Sequence, residues 1–104
     1  RAITWYKEAI DLDIVDQLDF EGFRLTYLAN AASGFELELT LNKDRTEPYN
    51  LGDGYAHLAF IVEDVDAHHA ALTAQGKVVG DLVDFAPGGD LVARFFFATD
   101  PDGY

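Results

Sequence analysis

The 104-residue chain contains no cysteine and no methionine, one tryptophan and three prolines. Cations are scarce: seven Lys plus Arg stand against nineteen Asp plus Glu, a formal net charge of −12. The missing thiols exclude disulfide frameworks, thiolate catalysis and sulfur-ligated zinc, so any metal must be held by imidazole and carboxylate. The missing basic patch excludes a phosphate backbone as ligand, and no nucleic acid is expected as a partner. No apolar run approaches the ~20 residues of a membrane span, and no basic-then-apolar leader is visible. The expectation is a cytoplasmic protein that binds no membrane. Phosphate-cradling GxGxxG and GK[ST] loops are absent, and so is the GxSxG nucleophile elbow.

What is present is the composition of a packed domain: 49% hydrophobic and 25% charged residues, within the span of a single domain. The acidic excess serves mainly solubility. Arg1 to Ile10 reads as a helix already under way, with Ile3, Tyr6 and Ile10 on one face. Ile14 to Leu18 is a short strand, and Phe23 to Ala29 alternates with Phe23, Leu25 and Tyr27 on one side. Phe35 to Leu41 alternates most cleanly: Phe35, Leu37, Leu39 and Leu41 face one way, and Glu36, Glu38, Thr40 and Asn42 the other. After the polar stretch 43–55, Ala56 to Val62 reads as an apolar strand. Asp64 or Asp66 can cap a helix running to Gln75, with Gly76 placed to stop it. Lys77 to Phe85 and Leu91 to Ala98 are further strands around the Pro87-Gly88-Gly89 turn, and Asp100-Pro101-Asp102-Gly103 is a strong turn signal.

Adding one strand before Arg1 and one after Tyr104 turns this order into two copies of strand-helix-strand-strand-strand. The expected fold is therefore α+β: tandem βαβββ modules in a curved mixed sheet, with terminal strands missing from the chain. One domain spans 1–104, with a first module over 1–42, a linker loop over 43–55 and a second module over 56–104.

Among residues that can carry chemistry, Glu38 sits mid-strand in a continuous polar row. A lone Glu there is ordinarily a solvated side chain, unless the sheet curves to make that row line a cavity. His57 opens the most apolar strand of the second half, where a lone His is more often structural than a ligand. Together they offer donors suited to Zn, Ni, Mn or Fe(II). His68 and His69 are adjacent on the second helix, point in different directions and cannot chelate as an i, i+4 pair. Arg94 interrupts the apolar run LVARFFFA, so its side chain is expected to reach a carboxylate or an anionic ligand.

Three segments together resemble the glyoxalase I family of the vicinal-oxygen-chelate (glyoxalase/bleomycin resistance/dioxygenase) superfamily: FELELTLN (Phe35 to Asn42), LGDGYAHLAFIVEDVDA (Leu51 to Ala67) and ATDPDGY (Ala98 to Tyr104). DPDGY marks the broad superfamily, and ELTxN together with YAH is more specific. The resemblance implies paired βαβββ modules around a central metal cavity, with the metal held by two His and two Glu. Glu38 matches one carboxylate ligand and His57 one imidazole ligand. The other two are expected just before Arg1 and just after Tyr104. Asn42 matches an Asn that contacts glutathione. The implied cofactor is a divalent metal, Zn or Ni. The implied reaction isomerises the hemithioacetal of methylglyoxal and glutathione to a 2-hydroxyacyl thioester through an enediolate, with Glu38 as partner carboxylate to the main base. A small-molecule substrate and a homodimer follow, with Glu38 and His57 contributed by different subunits. Two positions depart from the pattern: Pro87 falls near a Lys that helps bind glutathione, and Ala56 replaces a Gly before the His. The alternatives on the same fold are a dioxygenase, an epimerase, an antibiotic-modifying transferase, or a non-catalytic small-molecule-binding or resistance module.

Overall fold

A computed structural model describes residues 1–104, which divide into two compact units, Arg1–Asn50 and Leu51–Tyr104. The α+β class expected from the periodicities holds: two helices accompany seven strands, and every ladder is antiparallel.

In the first unit, α1 (Ala2–Ile10) ends at Asp11, a non-glycine residue in the left-handed region with φ 57°. That reversal is held by N–H groups of Asp11 and Leu12 donating to the carbonyls of Lys7 and Tyr6. Lys7 reinforces it by pairing with Asp11 at 2.6 Å and Asp13 at 2.8 Å. The turn delivers Leu12 into the core and leads into β1 (Asp13–Asp19). β1 pairs with β2 (Phe23–Ala29), and β2 with β3 (Leu37–Asn42), in a three-stranded sheet of order β1-β2-β3. The Phe20 N–H closes the first hairpin on the Phe23 carbonyl at 2.9 Å, with the two rings stacked at 4.8 Å.

The ladder registers define two faces. Across one lie Leu28 opposite Leu37 and Thr26 opposite Leu39. Across the other lie Tyr27 opposite Glu38, Leu25 opposite Thr40, and Phe23 opposite Asn42. The buried side of β2 is therefore the Thr26 and Leu28 side, and Phe23, Leu25 and Tyr27 share the face of Glu38. Alternation alone identified Phe23, Leu25 and Tyr27 as one row but could not say which row is covered. The buried residues of this unit are Tyr6, Ala9, Leu12, Thr26 and Leu28, so the core takes the side that includes a threonine. Its hydroxyl is satisfied by Gln17 Nε2 at 3.0 Å, which removes the cost of burying it. A bulge between Ile14 and Asp16 sets Ile14 opposite Leu28 but Asp16 opposite Tyr27, so residues two apart in sequence fall on opposite faces.

In the second unit, α2 (Val65–Ala74) starts at Asp64, whose carboxylate accepts the Ala67 N–H at 3.0 Å, and it stops before Gly76 at φ 74°. The expected strand over Lys77 to Phe85 is two short ones, β4 (Val78–Val79) and β5 (Val83–Phe85), interrupted at Gly80-Asp81-Leu82. Leu91 to Ala98 likewise resolves into β6 (Ala93–Phe95) and β7 (Ala98–Thr99). β4 pairs with β7 and β5 with β6. The exchange of partners explains the split: Gly80 donates to the Phe97 carbonyl at 2.8 Å just where the chain leaves one ladder for the other.

The strand expected at Ala56 to Val62 does not form. These residues join no ladder, and Ile61 is fully exposed. A strand needs a neighbouring backbone to satisfy its N–H and C=O groups, and β4–β7 pair only with one another. Asp100 ends the second unit in a closed turn: its carboxylate accepts N–H groups from Asp102 and Tyr104 at 2.9 and 3.0 Å, and its own N–H donates to the Tyr104 carbonyl.

Candidate active site

Glu38 is the second residue of β3. The Tyr27 hydroxyl, directly across the ladder, donates to Glu38 Oε2 at 2.6 Å, and the Thr40 hydroxyl approaches Oε1 at 3.4 Å. The bond to Glu38 raises the Tyr27 phenol above its ordinary value, because ionisation would discard the hydrogen bond; partial burial and the charges of Glu38, Asp16 and Glu36 act in the same direction. The face around this pair is mixed rather than purely polar. Half-buried Leu25 lies next along this face of β2, with exposed Phe23 beyond it, and exposed Leu18 stands opposite Leu25 on β1.

Asn42 lies at the end of the same strand, on the same face as Glu38. Its amide donates to the Tyr49 hydroxyl at 2.6 Å. The Arg45 guanidinium lies 4.0 Å over the Tyr49 ring and donates to the carbonyls of Glu47 and Pro48, both at 2.9 Å. A shallow depression beside this cluster is lined by Gly22, Asn42, Asp44, Arg45, Thr46 and Glu47.

His57 belongs to the second unit, in the extended segment outside the ladders. Its exposed ring meets the Phe97 ring edge-on at 5.4 Å, and Phe97 meets Phe95 in the same manner at 5.6 Å. His69 Nε2 lies 2.9 Å from the Gly80 carbonyl, and its ring packs edge-on to Phe96. Arg94 reaches carboxylates, as its place in an apolar run implied: Nε and Nη2 grip both oxygens of Asp66 at 3.1 and 2.8 Å, and Nη1 reaches Asp84 at 2.6 Å. These bonds hold Arg94 firmly protonated and keep the Asp66 carboxyl below its usual range.

Glu38 and Asn42 are thus brought onto one face of one strand, and His57 lies in the other unit. No three His, Asp or Glu side chains gather as a metal-holding group. In kind, carboxylate and imidazole are donors that suit a borderline divalent cation such as zinc or nickel. Sequence reasoning missed Tyr27 as a partner of Glu38. The signal that would have found it is the hairpin joining the strands: a connection centred on Asn30 to Phe35 puts positions 27 and 38 opposite each other.

Residues 1–104 match the Glyoxalase/Bleomycin resistance protein/Dioxygenase superfamily, and the chain belongs to that superfamily. Its relatives include lactoylglutathione lyase of Neisseria meningitidis serogroup A, 33% identical over 110 residues that cover 100% of this chain and 76% of that protein. Lactoylglutathione lyase of Haemophilus influenzae is 29% identical over 108 residues, covering 100% and 78%. The crystal structure of SMU.1112c is similar at a TM-score of 0.72 with 25% identity, over 95% of this chain and 80% of that one.

Proposed function

We propose that this protein is a metal-dependent lyase of the lactoylglutathione lyase type, acting on the hemithioacetal of methylglyoxal and glutathione. The observation that carries the reading is Glu38: a carboxylate in an ELTLN strand, held across the ladder by Tyr27, with Leu25 next along the same face. The names of the relatives at about a third identity support it. Glu38 and His57 each supply one donor to the divalent cation, zinc or nickel. When bound, that cation would polarise the substrate oxygens and so acidify the adjacent C–H. Glu38 serves as the acid–base carboxylate on its face of the substrate. It receives the proton from the hemithioacetal carbon on its own face and returns it to the neighbouring carbon, leaving a 2-hydroxyacyl thioester. Asn42 holds the thiol portion of the substrate through its amide. The protein works in the cytoplasm as a homodimer in which Glu38 and His57 come from different subunits. No helix is long and apolar enough to cross a membrane.

The test is isomerase activity with methylglyoxal and glutathione in the presence of Zn, Ni or Co, beside Glu38→Gln. The wild type turns over with at least one metal, and Glu38→Gln loses roughly 100-fold or more in kcat, the usual worth of a positioned acid–base group. Equal rates for the two proteins refute the role of Glu38. Pro87, standing near the position of a glutathione-binding Lys, favours a second reading in which another thiol forms the hemithioacetal. Activity with that thiol alone replaces glutathione by it.

A further inference from the structure

We propose that Tyr27 is a positioning residue that fixes the Glu38 carboxylate so that Oε1 is the oxygen presented to a divalent cation. This rests on the reading of Glu38 as a metal ligand. The Tyr27 hydroxyl engages Oε2 at 2.6 Å, whereas the nearest donor to Oε1, the Thr40 hydroxyl, is 3.4 Å away. One oxygen is therefore engaged by a short bond, and the other accepts only the long Thr40 bond and keeps a lone pair available. A free glutamate must restrict three torsions to present an oxygen in one place, whereas the stiff phenol ring across the ladder has already restricted them. The pair lies on the face opposite buried Thr26 and Leu28, so its geometry is not a by-product of core packing. Carboxylates that ligate metals are themselves held by such outer hydrogen bonds, and losing one costs about 10–100-fold in metal affinity.

The experiment is zinc affinity, by competition with a chromogenic chelator, for the wild type, Tyr27→Phe and Glu38→Gln, with a thermal melt of each metal-free protein. Phenylalanine keeps the ring and removes only the hydroxyl. The expected result is a loss of about tenfold or more in zinc affinity for Tyr27→Phe, an unchanged melting temperature and a larger loss for Glu38→Gln. Zinc bound by Tyr27→Phe as tightly as by the wild type, or more tightly, overturns the role of Tyr27 while leaving Glu38 a ligand. An affinity loss matched by a fall in melting temperature also overturns it, since the hydroxyl would then be supporting the fold. Equal affinities for the wild type and Glu38→Gln overturn the ligand reading and this inference together.

Discussion

Leu28 and Tyr27 are neighbours in sequence, and the pleat sends them to opposite faces, so truncating the first should destabilise the protein while altering the second should not. Leu28 is 0% exposed, and with Leu12 it is one of the two largest fully buried side chains. Leu28→Ala removes its apolar contacts and leaves a cavity, at a usual cost of about 2–5 kcal/mol. Leu37, directly across the ladder, is only half-buried. It can relax into the space, which places the expected loss near the lower part of that range, about 2.5–3.5 kcal/mol. At roughly 4–8 °C per kcal/mol for a domain of this size, the melting temperature should fall by more than about 10 °C. Urea and thermal unfolding, followed by far-ultraviolet circular dichroism, measure it. The control is Leu41→Ala, on the same strand face as Leu37 but 55% exposed; it should change stability by less than about 0.5 kcal/mol. A loss below about 1 kcal/mol for Leu28→Ala, or equal losses at both positions, would refute the assignment of the covered face.

Asp64→Ala removes the side-chain acceptor of the Ala67 N–H and should cost about 1 kcal/mol in urea unfolding, with Asp64→Ser restoring most of it. Two carboxyls contribute to the pH response. Lys43 and Arg24 hold Asp19 below its usual range, and Arg94 does the same for Asp66. With folded values below unfolded ones, their stabilising contribution is present above about pH 4 and is lost as pH falls through the folded values. The urea midpoint of the wild type should therefore fall more steeply towards acid than that of Asp19→Asn, and parallel curves would exclude the Asp19 pairs as a cause.

Much of the first unit is legible in the sequence because local patterns agree there. β2 occupies the residues that alternation marked, and β3 overlaps its predicted span from Leu37 onward. Asp64 and Gly76 delimit α2 because capping is a local hydrogen-bond and φ requirement. Long-range pairing was not legible. An apolar run such as Ala56 to Val62 has strand propensity, but whether a backbone lies beside it is a property of the whole fold. The break at Gly80 likewise follows from a change of ladder partner. At the candidate site, period-two patterning placed Glu38 and Asn42 in one row of β3. It could not place Tyr27 against Glu38, because that contact is set by register. The register depends in turn on how Asn30 and Ser33 close the connection, through Ser33 Oγ bonding the carbonyls of Asn30 and Phe35.

The outermost strand of the three-stranded sheet carries a consequence for assembly. β1 reads DIVDQLD, is exposed along its whole length, and has no neighbour on one side in its sheet. A second copy aligning antiparallel along this rim would set aspartates close to aspartates at the ~5 Å spacing of facing residues, where like charges repel. Asp13 and Asp19 are offset by Lys7, Arg24 and Lys43, so Asp16 at the midpoint, which would face its own copy, is the residue that most opposes chain-by-chain growth along this rim.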